Sequence, residues 1–292
     1  MLYHPVIILY EGHVSISGVI FAVRNVTSPR KLRRVAGAVV VGFESRCRPA
    51  ATHLIRGSPW IRHMRVLRGR ASSSAADRAV TTSLLSEPIE PAVRVWFPHR
   101  HLAFGPRDVR ADGYDDACAV AEDQGFEVYE RDVGGRAVAY TGTTICFAHV
   151  DRLEDERTGL TERYDQVLGR IKDALATVGV DAEVGEPEAA FCPGTHSLSC
   201  RGKLVGLAQR ARRNVALTAG LVVPRDRQEL IEVLGPVYAA LDIPFDPAAV
   251  GSVRRAGGTD DPEAVRQAVE DALVTGADAD STAVEYEDVE AH

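Results

Sequence analysis

Residues 191–210 read Phe191-Cys192-Pro193-Gly194-Thr195-His196-Ser197-Leu198-Ser199-Cys200-Arg201-Gly202-Lys203-Leu204-Val205-Gly206-Leu207-Ala208-Gln209-Arg210. A cysteine stands just ahead of a Pro-Gly turn, and a Gly-Lys pair opens an alternating apolar run, so the Lys203 side chain is expected to leave the start of a strand. An ammonium partly buried there could polarise a carbonyl or hold a carboxylate, although most lysines are simply exposed. Cys192 occupies a loop position where a thiolate could attack an acyl group, favoured by a cationic neighbour among Arg131, Arg136, Lys203 or Arg210; most free cysteines are instead small core residues. His196 could act as a base or cap the turn. Cys192, His196 and Cys200 stand four residues apart across the turn, which matches no common zinc spacing, so no metal is expected.

On either side of this stretch lie short strand-like runs. They are 126–129, 137–140, 144–148, 189–191, 198–200, 204–208 and 214–223, the last with a break near Gly220. Val93, Val95 and Phe97 alternate as a further strand. Helical spacing marks 74–85 behind a Ser-rich start, 113–124 ended by Gly125, and 161–178. Several strands, one long helix and more strands indicate an α+β fold, a mixed and mostly antiparallel sheet with packed helices. No strand-turn-helix carries a GxGxxG turn, which argues against a dinucleotide-binding sheet.

The 292 residues suffice for one principal domain, and the formal charge of −7 is unevenly spread. Residues 1–63 carry +7 and residues 64–292 carry −14. The first stretch mixes arginines, prolines and short apolar pieces without clear periodicity. It reads either as a basic arm or as sequence upstream of a start at Met64, with the second reading preferred. Residues 64–223 are then expected to form the catalytic domain, 224–275 a small helical appendage (helices at 227–241 and 262–274, a turn at 247–250), and 276–292 an acidic, disordered tail.

An acidic surface argues against nucleic-acid or anionic-membrane binding. Only three lysines, Lys31, Lys172 and Lys203, stand among 34 basic residues, a bias that GC-rich coding and an acidic, salt-adapted surface would both produce; a halophilic host is the reading taken. The five cysteines form no CxxC pair, so a cytoplasmic protein without a disulfide framework is expected. Apolar runs such as 6–10 and 38–43 are far shorter than the roughly 20 residues that span a bilayer.

A second stretch, Arg131-Asp132-Val133-Gly134-Gly135-Arg136-Ala137-Val138-Ala139-Tyr140, sets a glycine pair between an arginine and a strand. The glycines would let the backbone approach a ligand, and Arg131 and Arg136 could hold a carboxylate or phosphate; an ordinary hairpin turn is the plainer alternative.

Taken together, the two stretches resemble the lipoate-protein ligase and octanoyltransferase family, which shares its catalytic fold with biotin-protein ligase. Arg131, Gly134, Gly135, Ala137 and Val138 match its arginine-led glycine turn. Gly202, Lys203, Gly206 and Ala208 match its Gly-Lys-x-x-Gly-x-Ala stretch. The resemblance implies that Lys203 contacts the acyl carbonyl, and that Arg131, Gly134, Gly135, Ala137, Val138, Gly206 and Ala208 line an acyl site. Phe-Cys-Pro-Gly followed by Leu-Ser, Gly-Lys and Ala-Gln-Arg looks closest to the branch with a cysteine nucleophile, which gives that role to Cys192. Asp132, Val133 and Ser197 depart from the family pattern.

The implied activity is transfer of an octanoyl or lipoyl group to a protein lysine through a Cys192 thioester, with Lys203 and backbone amides stabilising the oxyanion and no cofactor. An ATP- and Mg-dependent lipoate-protein ligase acting through lipoyl-AMP is the alternative, and a non-catalytic carrier-binding module the third. The implied partners are lipoyl-domain carriers, either the acyltransferase subunit of a 2-oxo acid dehydrogenase or the glycine cleavage carrier protein.

Overall fold

A computed structural model describes residues 62–275 except 87–89, 132–133 and 154–158, together with the backbone of strands at 15–16, 19–20 and 277–283. The chain divides into two units, Met1–Ile55 and Arg56–His292. In the first, β1 (Ser15–Ile16) pairs antiparallel with β2 (Val19–Ile20). The remainder of the basic segment expected over 1–63 lies outside the described residues, save the start of the next strand.

The second unit runs β3 (Arg62–Arg68), α1 (Ser74–Ser83), β4 (Ala92–Trp96), β5 (His101–Phe104), α2 (Tyr114–Asp123), β6 (Glu127–Glu130), β7 (Val138–Tyr140) and β8 (Ile145–Arg152). Next come α3 (Leu160–Thr177), β9 (Glu183–Val184), β10 (Ser197–Ser199), β11 (Lys203–Arg212) and β12 (Val215–Val222). The chain then forms α4 (Arg227–Ala240), a 3-10 turn at Pro247–Ala249, α5 (Val253–Ala256), α6 (Pro262–Val274) and β13 (Ala277–Ala283). An eight-stranded sheet has the order β13-β3-β4-β8-β12-β11-β10-β9, antiparallel from β4 to β9, and a three-stranded sheet has the order β6-β5-β7. This is the mixed, mostly antiparallel α+β arrangement that the sequence pattern indicates.

Helix starts follow local chemistry. The Ser73 hydroxyl caps α1 by accepting from Ala76 N, and Asp261 caps α6 ahead of Pro262. The period of α3 puts Val167, Leu168, Ile171 and Leu175 on one stripe. That stripe packs with Val265, Val269 and Leu273 of α6 on the sheet residues Val93, Val95, Ile145, Phe147 and Val222. A second core joins Leu102, Phe104 and Val138 of the small sheet to Ala117 and Ala121 of α2 and to Leu230, Val233, Leu234, Val237 and Tyr238 of α4. Each large aliphatic side chain buried in these cores contributes about 1.5–3 kcal/mol relative to exposure.

Several expectations are corrected. Helices α4 and α6 belong to the two cores, so the boundary expected at 223 marks no separate appendage: their apolar stripes have nowhere else to be buried. Part of the expected disordered tail, Ala277–Ala283, is a strand paired parallel with β3, whose free edge offers it a ladder of backbone partners; residues 284–292 lie outside the described residues. Ala189–Phe191 is a turn, with Ala189 at φ 53°, rather than a strand.

No break occurs at Gly220 either. A methyl group there would lie 2.5 Å from both the Phe147 ring and the Gly206 carbonyl oxygen, so β12 needs glycine to pass its neighbours in continuous register. The described residues contain no helix long and apolar enough to cross a membrane.

Candidate active site

Lys203 opens β11, and its side chain turns inward to 2% exposure. Its Nζ donates to Glu186 Oε1 at 2.9 Å, Cys192 O at 2.8 Å and Phe191 O at 3.1 Å, and stands 5.2 Å from the centre of the Phe191 ring. An ammonium has three N–H bonds, and all three are engaged. A substrate carbonyl can therefore reach Lys203 only by replacing one of these acceptors, and the two neutral backbone carbonyls are the weaker holds. Gly206 makes room for the bent lysine: a methyl there would lie 3.2 Å from Lys203 Cε.

Cys192 is half-buried and has φ 41°, in the left-handed region. Its N–H donates to Tyr238 Oη at 2.6 Å, and that hydroxyl donates to Ala137 O at 3.0 Å. The Cys192 amide is thus committed to Tyr238 and is not one of the backbone amides free to meet an oxyanion. Burial pushes the Tyr238 phenol well above its ordinary range, which keeps it protonated and able to bridge.

The glycine turn lies against the same thiol. Gly135 has φ 101°, and a methyl there would sit 2.9 Å from Cys192 Sγ and 3.2 Å from Arg131 Nη2. The thiol and the Arg131 guanidinium both border that empty position. Arg131 Nη2 also donates to Arg136 O, while its Nε is buried without a partner among the described residues, leaving a donor for a bound group. Arg136 holds a carboxylate of the protein itself, the fully buried Asp108, at 3.0 Å. Gly134 is exposed, with none of the described residues near its missing side chain.

Residues expected to line an acyl site divide into two groups. Ala137 and Val138 are core residues at 0% and 2% exposure, so the Ala137 carbonyl, rather than its methyl, reaches the site. Gly206 is part-buried and Ala208 exposed; they share one face of β11 and pair with Leu221 and Ala219 of β12. His196 stacks on Tyr164 of α3 with ring centres 3.6 Å apart.

Two polar residues at the centre, Glu186 and Tyr238, carry no distinguishing mark in the sequence. Glu186 lies in an acidic stretch with Glu183 and Glu188, where nothing distinguishes one carboxylate from its neighbours. Tyr238 sits in a buried helix stripe and reads as a core aromatic.

The chain is similar to several known proteins. The family model for the lipoyl protein ligase A/B catalytic domain matches residues 71–273, running past 223 through both cores. An octanoyl-GcvH:protein N-octanoyltransferase of Geobacillus kaustophilus is 27% identical over 52% of this chain and 54% of its own length. A lipoyl-GcvH:protein N-lipoyltransferase of Listeria monocytogenes is 28% identical over 57% of this chain and 60% of its own. The chain therefore spans little more than half the length of these curated relatives.

Among solved structures, lipoate-protein ligase A bound with ATP superposes with a TM-score of 0.62 at 17% identity, covering 76% of this chain and 90% of that one. A bi-partite lipoate protein ligase from Thermoplasma acidophilum gives 0.58 at 16%, covering 77% and 88%. These two show a shared fold. With residues 71–273 matched, this chain belongs to the lipoyl protein ligase A/B catalytic domain family.

Proposed function

We propose that this protein transfers an octanoyl or lipoyl group from a donor carrier to a lysine of a lipoyl-carrier domain, through a thioester on Cys192. The observation that carries this reading is the 2.8 Å hydrogen bond from Lys203 Nζ to the Cys192 carbonyl, which sets a buried cation beside the only cysteine bordering the glycine turn among the described residues. In the first step the Cys192 sulfur attacks the acyl carbon. Its bond to the donor's heteroatom breaks, and the donor leaves carrying a proton. In the second, the acceptor amine attacks the thioester, an amide forms, and the Cys192 thiol is regenerated. Lys203 stabilises the negative charge on the acyl oxygen in both steps.

The reading requires no cofactor. The named relatives act with GcvH, which favours a lipoyl-type carrier as donor, and a 2-oxo acid dehydrogenase acyltransferase subunit or a glycine cleavage carrier as acceptor. The free thiols Cys118, Cys146, Cys192 and Cys200 suit a cytoplasmic enzyme.

Intact mass of the protein after incubation with an octanoylated carrier, with and without ATP, tests the proposal. The expected result is an octanoyl adduct on Cys192, formed without ATP and absent from Cys192→Ser. Full activity of Cys192→Ser with free lipoate, ATP and Mg²⁺ would replace the thioester route with a lipoyl-AMP route. Absence of any transfer by wild-type protein would leave a carrier-binding module.

A further inference from the structure

We propose that Glu186 is the positioning residue of this site, the carboxylate that keeps the Lys203 ammonium aimed while its backbone acceptors give way to substrate. The inference rests on the acyl-transfer reading for its kinetic consequences and on geometry alone for the contact itself.

Lys203 is 2% exposed, and the single ion pair it makes among the described residues is with Glu186, at 2.9 Å. Its remaining acceptors, Phe191 O and Cys192 O, are neutral. A buried ammonium without a countercharge is strongly disfavoured, so the one carboxylate in contact among the described residues carries the electrostatic part of the lysine's hold. When an acyl carbonyl displaces one of the two backbone carbonyls, Glu186 is the partner that remains.

The carboxylate is itself fixed. Its Oε2 accepts from the Ser197 hydroxyl, and Ser197 is 1% exposed on β10. Two hydrogen bonds tie the loop beside Glu186 to that strand, Gly185 N to Ser197 O at 3.1 Å and Ser199 Oγ to Gly185 O at 2.8 Å. The Ser197 hydroxyl thereby orients the carboxylate contributed by residue 186. The ordering that runs β9, Glu186, Ser197, Lys203 is set by β10 pairing with both β9 and β11.

The test uses the full chain carrying Glu186→Gln, Glu186→Asp or Ser197→Ala, with octanoylated carrier as donor and a lipoyl-domain acceptor. Glu186→Gln is expected to lower kcat about tenfold with KM for the acceptor unchanged, and Glu186→Asp to recover much of the loss. A second readout needs no activity. The chain has three lysines, so ¹⁵N-lysine spectra resolve each ammonium. The wild type should show one exchange-protected Nζ signal, assigned by its loss in Lys203→Met; Glu186→Gln should lose it, and Glu186→Asp should keep it.

Wild-type kcat in Glu186→Gln, or an undisturbed Lys203 signal in that variant, overturns the inference. If Glu186→Gln does not fold, Ser197→Ala decides: a fall of about threefold in kcat at constant KM supports the inference, and no fall overturns it. If wild-type protein transfers nothing, the acyl-transfer reading fails, and the spectra still report whether Glu186 holds Lys203.

Discussion

The Tyr238 hydroxyl accepts the Cys192 N–H at 2.6 Å and donates to the Ala137 carbonyl at 3.0 Å, so one side chain of α4 joins the cysteine loop to the glycine turn. Cys192 is held at φ 41°, a region that costs a non-glycine residue about 1–2 kcal/mol. Tyr238→Phe removes both bonds without changing shape and leaves an amide and a carbonyl unpaired. The expected loss is about 1–3 kcal/mol in urea unfolding at constant m, together with slower acyl-adduct formation on Cys192.

Lys203 supplies the cation of the site. Under the proposed acyl-transfer reading, Lys203→Ala should reduce transfer by about two to three orders of magnitude in steady-state assays, as loss of an oxyanion donor does. Lys203→Arg should not restore it, because a planar guanidinium cannot repeat three donations to Glu186, Phe191 O and Cys192 O from one nitrogen.

The two glycines of the turn should respond differently. Gly135→Ala places a methyl 2.9 Å from Cys192 Sγ at φ 101° and is expected to cost about 1–3 kcal/mol and to slow thioester formation. Gly134→Ala, with none of the described residues within 4 Å, should change stability by less than about 0.5 kcal/mol. Paired denaturation curves of the two variants check the contrast.

Alkaline pH should expose a buried thiol. Burial first, with Arg94 opposing and Asp77 adding, pushes the Cys146 thiol well above its ordinary range. The folded protein then keeps that proton at pH values where the unfolded chain, titrating near 8.5, has released it. Stability is accordingly full below about pH 8.5 and falls as pH rises beyond it, because the native state binds more protons there. Unfolding free energies from pH 7 to 10 should show that decline, and Cys146→Ala should flatten it.

The other face of the sheet depends on a buried ion pair. Arg94, fully buried on β4, meets Asp77 of α1 at 2.5 Å and lies 4.2 Å over the Trp96 ring. Asp77→Ala strands that charge and removes the acceptor for the Ala71 amide, so it should destabilise by about 3–5 kcal/mol. Thermal or denaturant unfolding checks it.

Much of the fold was legible because local periodicity and burial agree. The stripe Val167, Leu168, Ile171 and Leu175 marks α3, and the alternation around Leu204 marks β11. The failures have specific physical causes. Gly220 looks like a break and is a packing requirement set by Phe147, which is 73 residues away in the chain. Ala189–Phe191 has strand-like composition, but this segment turns to carry Cys192 toward Lys203. Val233, Leu234 and Val237 mark α4 as amphipathic without saying that it covers the glycine turn's own core.

What the sequence determined by itself was the pairing of a Gly-Lys strand start with a glycine-rich turn and the α+β pattern around them, since spacing and periodicity are properties of neighbours along the chain. What only the tertiary structure decided was which groups complete the site. Glu186 reaches Lys203 across 17 residues and Tyr238 reaches Cys192 across 46. Those contacts depend on strand register and helix docking, which bring together side chains whose local sequence carries no trace of the partner.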